Sequence, residues 1–507
     1  MPINSIKKIV ILGGGTSGWI AACMLAKHLK PTQCEIQVIE SDDINVIGVG
    51  ESTIPPFVRL LQHLGIDERE FLRETQACYK LGIQFIDWRE RNHTYFHPFG
   101  VIGKPIESQD FYQCWLKAQQ EGLDFPLQDF SPCAVMAKNN RFFLPNHTQN
   151  TPLGGTNYAV HLDAKSVVEF LRSQATKAGV RSIKGTVTEV KSTPSGFIKT
   201  LILDSQEQIG GDFFVDCSGF KSLLIGQHLK TPFEDWSSVL PCDRAIVVKT
   251  ERAVETPPFT SAKAQKCGWS WRIPLQNSIG HGYVYSSRFS SDAEAKTILM
   301  KELDQKRIND PHVIKFTSGR REQLWRNNCL AVGLSAGFVE PLESTAIHLI
   351  ARGLELFLRY FPDQDCDSSL QREYNRRMHH DYEEVRDFVM LHYCTSQRTD
   401  TAFWRATKEI PLPDSLRERI ELFTAQGKLR EGTEELFRNT SWQSVFEGMG
   451  IRPHKYSPLV DNLDPERLRQ DLNTTRSAIL NMVKTLPTHD EYLQRVHEEK
   501  SKTDKPN

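Results

Sequence analysis

Three absences bound this chain. Its 11 cysteines include no Cys-x-x-Cys pair and no metal-ligand spacing. That excludes a disulfide framework and fits reduced thiols in a cytosolic protein. No sign of charge dominates, since 62 Lys plus Arg stand against 63 Asp plus Glu, for a formal net charge of -1. No overall field draws the protein to nucleic acid or to an anionic membrane, so a small-molecule partner is expected. No apolar run is long enough to span a bilayer, and residues 1–8 lead straight into a short apolar strand, too brief for a signal peptide. The expectation is a cytoplasmic protein whose 507 residues form two or three domains.

The chain does contain a complete dinucleotide-binding fingerprint. Ile9, Val10, Ile11 and Leu12 form a continuous apolar run, as expected of a strand covered on both faces in a parallel sheet. Gly13, Gly15 and Gly18 follow as Gly-x-Gly-x-x-Gly with Thr16 and Ser17 inside the motif, and residues 19–26 read as a helix. The first glycine permits the tight turn, the second lets backbone approach a pyrophosphate, and the third lets helix and strand pack closely. A second apolar strand at 36–39 ends at Glu40, where an acid accepts hydrogen bonds from ribose hydroxyls. Two later segments, around Asp216 and from Leu330 through Gly333 to Gly337, look like strands ending in small residues that let backbone approach an extended cofactor.

The segment Gly268-Trp269-Ser270-Trp271-Arg272-Ile273-Pro274 is the most informative. On a strand Trp269 and Trp271 share a face, which suits either a sheet core or a wall between aromatic ligands. Lys80 lies in an apolar context, where a lysine ordinarily snorkels to solvent, and Glu343 reads from its position as a helix-capping acid.

With Trp-x-Trp-x-Ile-Pro and the glycine fingerprint together, the chain resembles the flavin-dependent tryptophan halogenase family. The resemblance covers nearly the whole chain. It implies an α/β, FAD-binding fold of the flavin monooxygenase type, with a Rossmann-like sheet, a second β-sheet and a helix-rich C-terminal region. The expected division is a cofactor-binding and catalytic domain over 1–370, a helical substrate region over 371–497 and a disordered tail over 498–507. Residues 48–55, with Gly50 and Glu51, look like the family's flavin strap. The chemistry implied is that FADH2, O2 and halide give hypohalous acid, which passes to Lys80 and Glu343 for bromination or chlorination of an indole-type ring. Lys80 would hold the acid by hydrogen bond or as a haloamine, and Glu343 would accept the proton the ring loses. Ser344 would line the passage, with backbone N–H groups at Thr345 and Ala346 binding halide; the family often has Gly where Ala346 stands. His97, Phe99, Trp269, Trp271 and Trp442 would shape the substrate pocket.

Members acting on free tryptophan grip its head group with a Tyr-Tyr pair and a downstream Glu, where this chain has the stretch around Trp442. A substrate without the amino-acid head group is therefore expected. No second complete Gly-x-Gly-x-x-Gly unit occurs, which points to a separate NAD(P)H-dependent flavin reductase as partner. A homodimer is compatible with the resemblance. His379, His380 and His392 sit in strongly charged helical sequence and read as surface residues, not metal ligands. Two other readings stay open on the same fold: an aromatic hydroxylase, and a flavin-binding protein without turnover.

Overall fold

The computed structural model describes residues 4–41, 50–145, 150–430, 432 and 435–503. Gly48 and Val49 of the expected strap lie outside them. The chain divides into two compact units, each assembled from three stretches: Met1–Gln76, Leu162–Asp243 and Lys315–Arg386 in the first, and Ala77–His161, Arg244–Ile314 and Asp387–Asn507 in the second. The boundary expected at 370 falls inside the last stretch of the first unit. The helix His489–Thr503 runs through the first residues of the tail expected to be disordered.

In the first unit, six strands follow the order Trp325–Arg326, Cys329–Ala331, Phe213–Asp216, Lys8–Leu12, Glu35–Glu40 and Arg181–Lys184. All neighbours are parallel except the first pair. Lys8–Leu12 sits inside this sheet, with Ile9 paired to Phe213 on one side and Ile36 on the other. Ile9, Val10 and Ile11 are completely buried, which is why that strand carries no polar alternation. Helix Thr16–His28 packs against helices Ala164–Lys177 and Ala346–Arg359.

In the second unit, a seven-stranded sheet runs in the order His312–Lys315, Arg244–Glu251, Ser278–Tyr285, Gly268–Pro274, Thr260–Ala264, Gly82–Ile86 and Thr94–Pro98. The Trp-x-Trp strand is central, antiparallel to both neighbours. Ile246, Val248, Tyr283 and Tyr285 of the sheet bury Ala295 and Leu299 of helix Asp292–Lys301, whose start is set by a capping box between Ser291 and Glu294. Helices Asp414–Gln426, Asn439–Met449 and Pro465–Lys484 complete the helix-rich C-terminal region. This is the α/β architecture expected, with a Rossmann-like sheet and a second β-sheet. Among the described residues no helix is long and apolar enough to cross a membrane.

One expectation is overturned: His392 is not a surface residue but completely buried. Val385, Val389 and His392 recur at helical spacing on the inward stripe of Ser368–Cys394, so the charged residues around them mark only the opposite face. His380 is exposed and His379 half-buried, so only His392 changes reading.

Candidate active site

In the first unit the fingerprint residues converge at the carboxyl ends of the parallel strands. Gly13 takes φ 120°, and a Cβ there would lie 2.2 Å from the Cys217 carbonyl oxygen, so only glycine fits. A Cβ on Gly18 would lie 1.8 Å from the Gly13 carbonyl oxygen, whereas one on Gly15 would meet nothing within 4 Å. Gly15 caps helix Thr16–His28 without any side-chain hydrogen bond, so first-turn donors at Thr16 and Ser17 border open space. This cradle fits the diphosphate of FAD. The Glu40 carboxylate closes one side, held by Arg172 at 2.8 Å, Ser182 at 2.8 Å and Lys184 at 3.2 Å. Gly333, at φ 73°, brings its turn against Ser17, where a Cβ would come within 2.8 Å of the Ser17 Cβ.

Asp216 sits at the end of its strand, beside Leu12, and is completely buried. Its carboxylate accepts from Ser218 N–H at 3.0 Å, Ser218 O–H at 2.6 Å, and Leu224 and Ile225 N–H at 2.8 Å each. It thus organises its own following turn. Gly337 is tight against protein, a Cβ there lying 2.7 Å from the Gly319 carbonyl oxygen, so its small size serves strand pairing. Gly50 opens the short strand Gly50–Ser52. Burial, with Asp163 adding negative charge, pushes the neighbouring Glu51 carboxyl up to about 7.

Glu343 ends the short turn Pro341–Glu343 and is 1% exposed. Ser344 follows at φ 61°, a left-handed conformation that costs a non-glycine residue roughly 1–2 kcal/mol and breaks the path before helix Ala346–Arg359. Thr345 caps that helix with no side-chain hydrogen bond, and Ala346 is exposed. First-turn N–H donors are thereby left for an anion.

In the second unit, strand Cys78–Lys80 pairs antiparallel with Ala159–Asp163, and Lys80 is completely buried. Its Nζ lies 5.0 Å from the centroid of the Phe99 ring. A run of rings leads onward: Phe99 to His97 at 6.5 Å, His97 to Phe388 at 5.6 Å, and Phe388 to Trp442 at 4.7 Å. Arg419 lies over the Trp442 ring at 4.2 Å, and the Trp442 indole N–H has no hydrogen-bond partner among the described residues. Phe437 stacks on Phe388 at 3.8 Å. Trp269 and Trp271 do share a face, with ring centroids 5.8 Å apart. They stand behind this run, Trp269 reaching it through Trp88 at 6.4 Å and then His392 at 5.7 Å. Trp271 lies across Gly282 of the neighbouring strand, where a Cβ would come within 2.1 Å of its ring.

The match to known proteins is decisive at this point. The family model for tryptophan halogenase matches residues 8–465. The chain belongs to the tryptophan halogenase family. Among its relatives, the tryptophan 6-halogenase ThaL of Streptomyces albogriseolus is 35% identical over 539 aligned residues, covering 97% of this chain and 99% of ThaL. Of solved structures, the flavin-dependent halogenase Xcc4156 of Xanthomonas campestris is 42% identical with a TM-score of 0.93, covering 97% of this chain and 98% of that one. BrvH, a flavin-dependent halogenase from Brevundimonas sp. BAL3, is 39% identical with a TM-score of 0.93, covering 97% and 99%.

Around Lys80 the halogenase holds a polar network that no spacing rule reveals. His161 faces Cys78 across the ladder, with Nδ1 3.6 Å from Sγ and Nε2 2.8 Å from the Thr260 hydroxyl oxygen. The Cys78 thiol donates to the Pro274 carbonyl at 3.0 Å. His161 is held neutral by burial first, then by the nearby charge of Lys80. Only the apolar flanks of these residues hinted at burial; their partners lie up to hundreds of positions away.

Buried neutral imidazoles make the halogenase acid-sensitive. Burial is the leading cause in each case: it lowers His489 and His281 to about 4, and His161 well below 6.5. The unfolded chain takes up these protons as pH falls through 6.5, while the folded chain does not until about 4. Their contribution is thus complete above pH 6.5 and declines as pH drops, by up to about 1.4 kcal/mol per pH unit for each histidine. Melting temperatures between pH 7.5 and 4.5 should fall steeply below 6.5; a flat profile would contradict the neutral assignment.

The glycine cradle yields a paired expectation. Gly18→Ala forces the turn apart and should lower the melting temperature as well as weaken FAD by ~10-fold or more. Gly15→Ala should change stability by less than about 1 kcal/mol and weaken FAD alone, because its Cβ enters only open space. Flavin fluorescence titration with parallel thermal melts checks both.

Proposed function

We propose that this halogenase depends on FADH2 and halogenates an indole-type aromatic ring, with Lys80 carrying the halogen. The observation that carries the reading is a completely buried lysine whose amine faces an aromatic ring, at the head of a ring-lined wall. When bound, reduced flavin supplies, with O2 and halide, an electrophilic halogen as hypohalous acid. Gly13, Gly15, Gly18, Thr16, Ser17 and Glu40 would hold the cofactor, with Asp216 and Gly333 shaping the adjoining turns. Gly50 and Glu51 belong to its strap, and Gly337 supports the neighbouring strand. The open N–H groups at Thr345 and Ala346 bind the halide, and Ser344 lines its passage.

The Lys80 amine holds hypohalous acid by hydrogen bond or takes the halogen as a haloamine, and Glu343 accepts the proton that the ring releases. His97, Phe99 and Trp442 orient one carbon of the substrate toward the halogen. Trp269 and Trp271 stiffen the wall from behind and keep oxidant and substrate apart. The Phe388–Phe437 stack beside Trp442 supports a substrate lacking a charged head group, because those rings pair with neither ammonium nor carboxylate and the Arg419 guanidinium on Trp442 is already engaged by Glu435 at 2.8 Å. A separate NAD(P)H-dependent reductase supplies the reduced flavin.

The test is mass spectrometry of reactions holding the protein, FAD, a flavin reductase with NADH, oxygen, and bromide or chloride, with indole and free tryptophan side by side. Halogenated indole in excess over halogenated tryptophan is expected, and more product with bromide, whose hypohalous acid forms more readily. Preferential halogenation of free tryptophan would overturn the substrate class. Chloride turnover matching bromide would overturn the halide order, and hydroxylated product would overturn the chemistry.

A further inference from the structure

The strand bearing Lys80 has a ladder partner on one side only among the described residues. Edge backbone N–H groups buried away from water need another acceptor. For Tyr79, that acceptor is a side chain 410 positions away: its N–H donates to His489 Nε2 at 3.2 Å. His489 opens the helix His489–Thr503 and is completely buried. Its other nitrogen, Nδ1, lies 2.7 Å from the Thr256 carbonyl oxygen. A carbonyl can only accept, so Nδ1 carries the proton and Nε2 is left as the acceptor for Tyr79.

The next residue completes the connection. Asp490 accepts the Thr256 N–H at 3.0 Å and pairs with Arg252 at 3.3 Å. Two residues beyond Thr256, the Pro258 carbonyl accepts the Leu81 N–H at 2.7 Å. Both neighbours of Lys80 in the chain are therefore tied to the segment that His489 and Asp490 clamp, Leu81 by one hydrogen bond and Tyr79 by two, through His489. The Tyr79 ring is fixed from the same side, stacked on Phe142 at 4.0 Å and edge-on to Tyr492 at 5.7 Å.

We infer that His489 is a positioning residue for Lys80: its neutral imidazole takes the place of a missing strand neighbour and sets where the lysine backbone, and so the amine, stands. The inference rests on the reading of Lys80 as the halogen carrier. Burial, the leading cause of the lowered His489 pKa of about 4, keeps the ring in the form that can accept and donate at once. Lysine could not accept, and a hydroxyl could not span both partners. A misplacement of about 1 Å at a reacting group can cost ~100-fold in rate, so a hydrogen bond this remote can govern turnover.

Two substitutions separate positioning from mere stabilisation. His489→Gln places an oxygen near the Nε2 position and can still accept from Tyr79. His489→Asn places a donor near the Nδ1 position and can still reach Thr256. Two readouts are taken on the full-length protein: amide hydrogen exchange at Tyr79, and halogenated product formed per flavin oxidised. His489→Ala is expected to raise Tyr79 exchange ~10-fold or more and to lower product per flavin oxidised by a similar factor, with FAD affinity unchanged. His489→Gln should restore both readouts, and His489→Asn neither. Unchanged Tyr79 exchange in the Ala variant, or Asn rescuing as well as Gln, overturns the inference. Should the Ala variant not fold, the Gln and Asn comparison decides alone. If Lys80→Ala leaves halogenation intact, the catalytic reading fails; the exchange result still tests the hydrogen bond by itself.

Discussion

Lys80→Ala should lower halogenated product by ~1,000-fold or more while flavin binding and flavin oxidation continue. The amine is the group proposed to hold the electrophilic halogen, and alanine has no atom that can hydrogen-bond to hypohalous acid or bond to halogen. Lys80 is completely buried with its amine against the Phe99 ring, so its truncation leaves a cavity and should also cost some stability. Product loss at temperatures well below the variant's melting temperature, with flavin oxidation intact, is the signature of chemistry. Lys80→Arg should not rescue, since a guanidinium is larger, remains charged and is a poor nucleophile. Product by mass spectrometry, flavin oxidation by absorbance and thermal melts on the same preparations separate the cases. Product within about tenfold of the parent would sink the assignment of Lys80 as halogen carrier.

Asp216→Ala should have the largest effect on stability, with no direct part in the chemistry. One carboxylate takes four donors, three of them backbone N–H groups, and the residue is completely buried. Alanine leaves those groups without an acceptor, and each well-buried orphan costs about 1–3 kcal/mol. A loss of roughly 3–5 kcal/mol is expected, a large share of a total that is typically about 5–15 kcal/mol. The turn at 217–225 should loosen, and because the Cys217 carbonyl packs against Gly13, the glycine cradle should loosen with it. Denaturant midpoints without cofactor measure the first effect and flavin titration the second. A stability loss under about 1 kcal/mol would show that the turn forms without Asp216.

Local pattern was enough for the parallel sheet of the first unit. Ile9 to Leu12 read as a buried parallel strand because uninterrupted apolar runs occur where both sheet faces are covered, and the structure places them centrally in the six-stranded sheet. Gly13 and Gly18 each answer a close approach, to the Cys217 and Gly13 carbonyls, whereas Gly15 borders open space. Trp269 and Trp271 share a face as strand periodicity requires. His392 shows how such reading fails. Its charged neighbours suggested exposure, while the stripe through Val385 and Val389 turns its ring into the core.

By itself the sequence determined the α/β architecture, because its short runs are spaced by strand and helix geometry, and its motifs carried the resemblance that gave the family. Tertiary structure alone decided the company those groups keep. It buries Lys80 beside Phe99, saturates Asp216 within its own turn, and brings His489 to the backbone of Tyr79. The reason is one of range. Spacing rules act over one or two turns of chain, while the burial and hydrogen bonds that tune a reactive group come from separations that no period sets, from 9 residues for Asp216 and Ile225 to 410 for Tyr79 and His489.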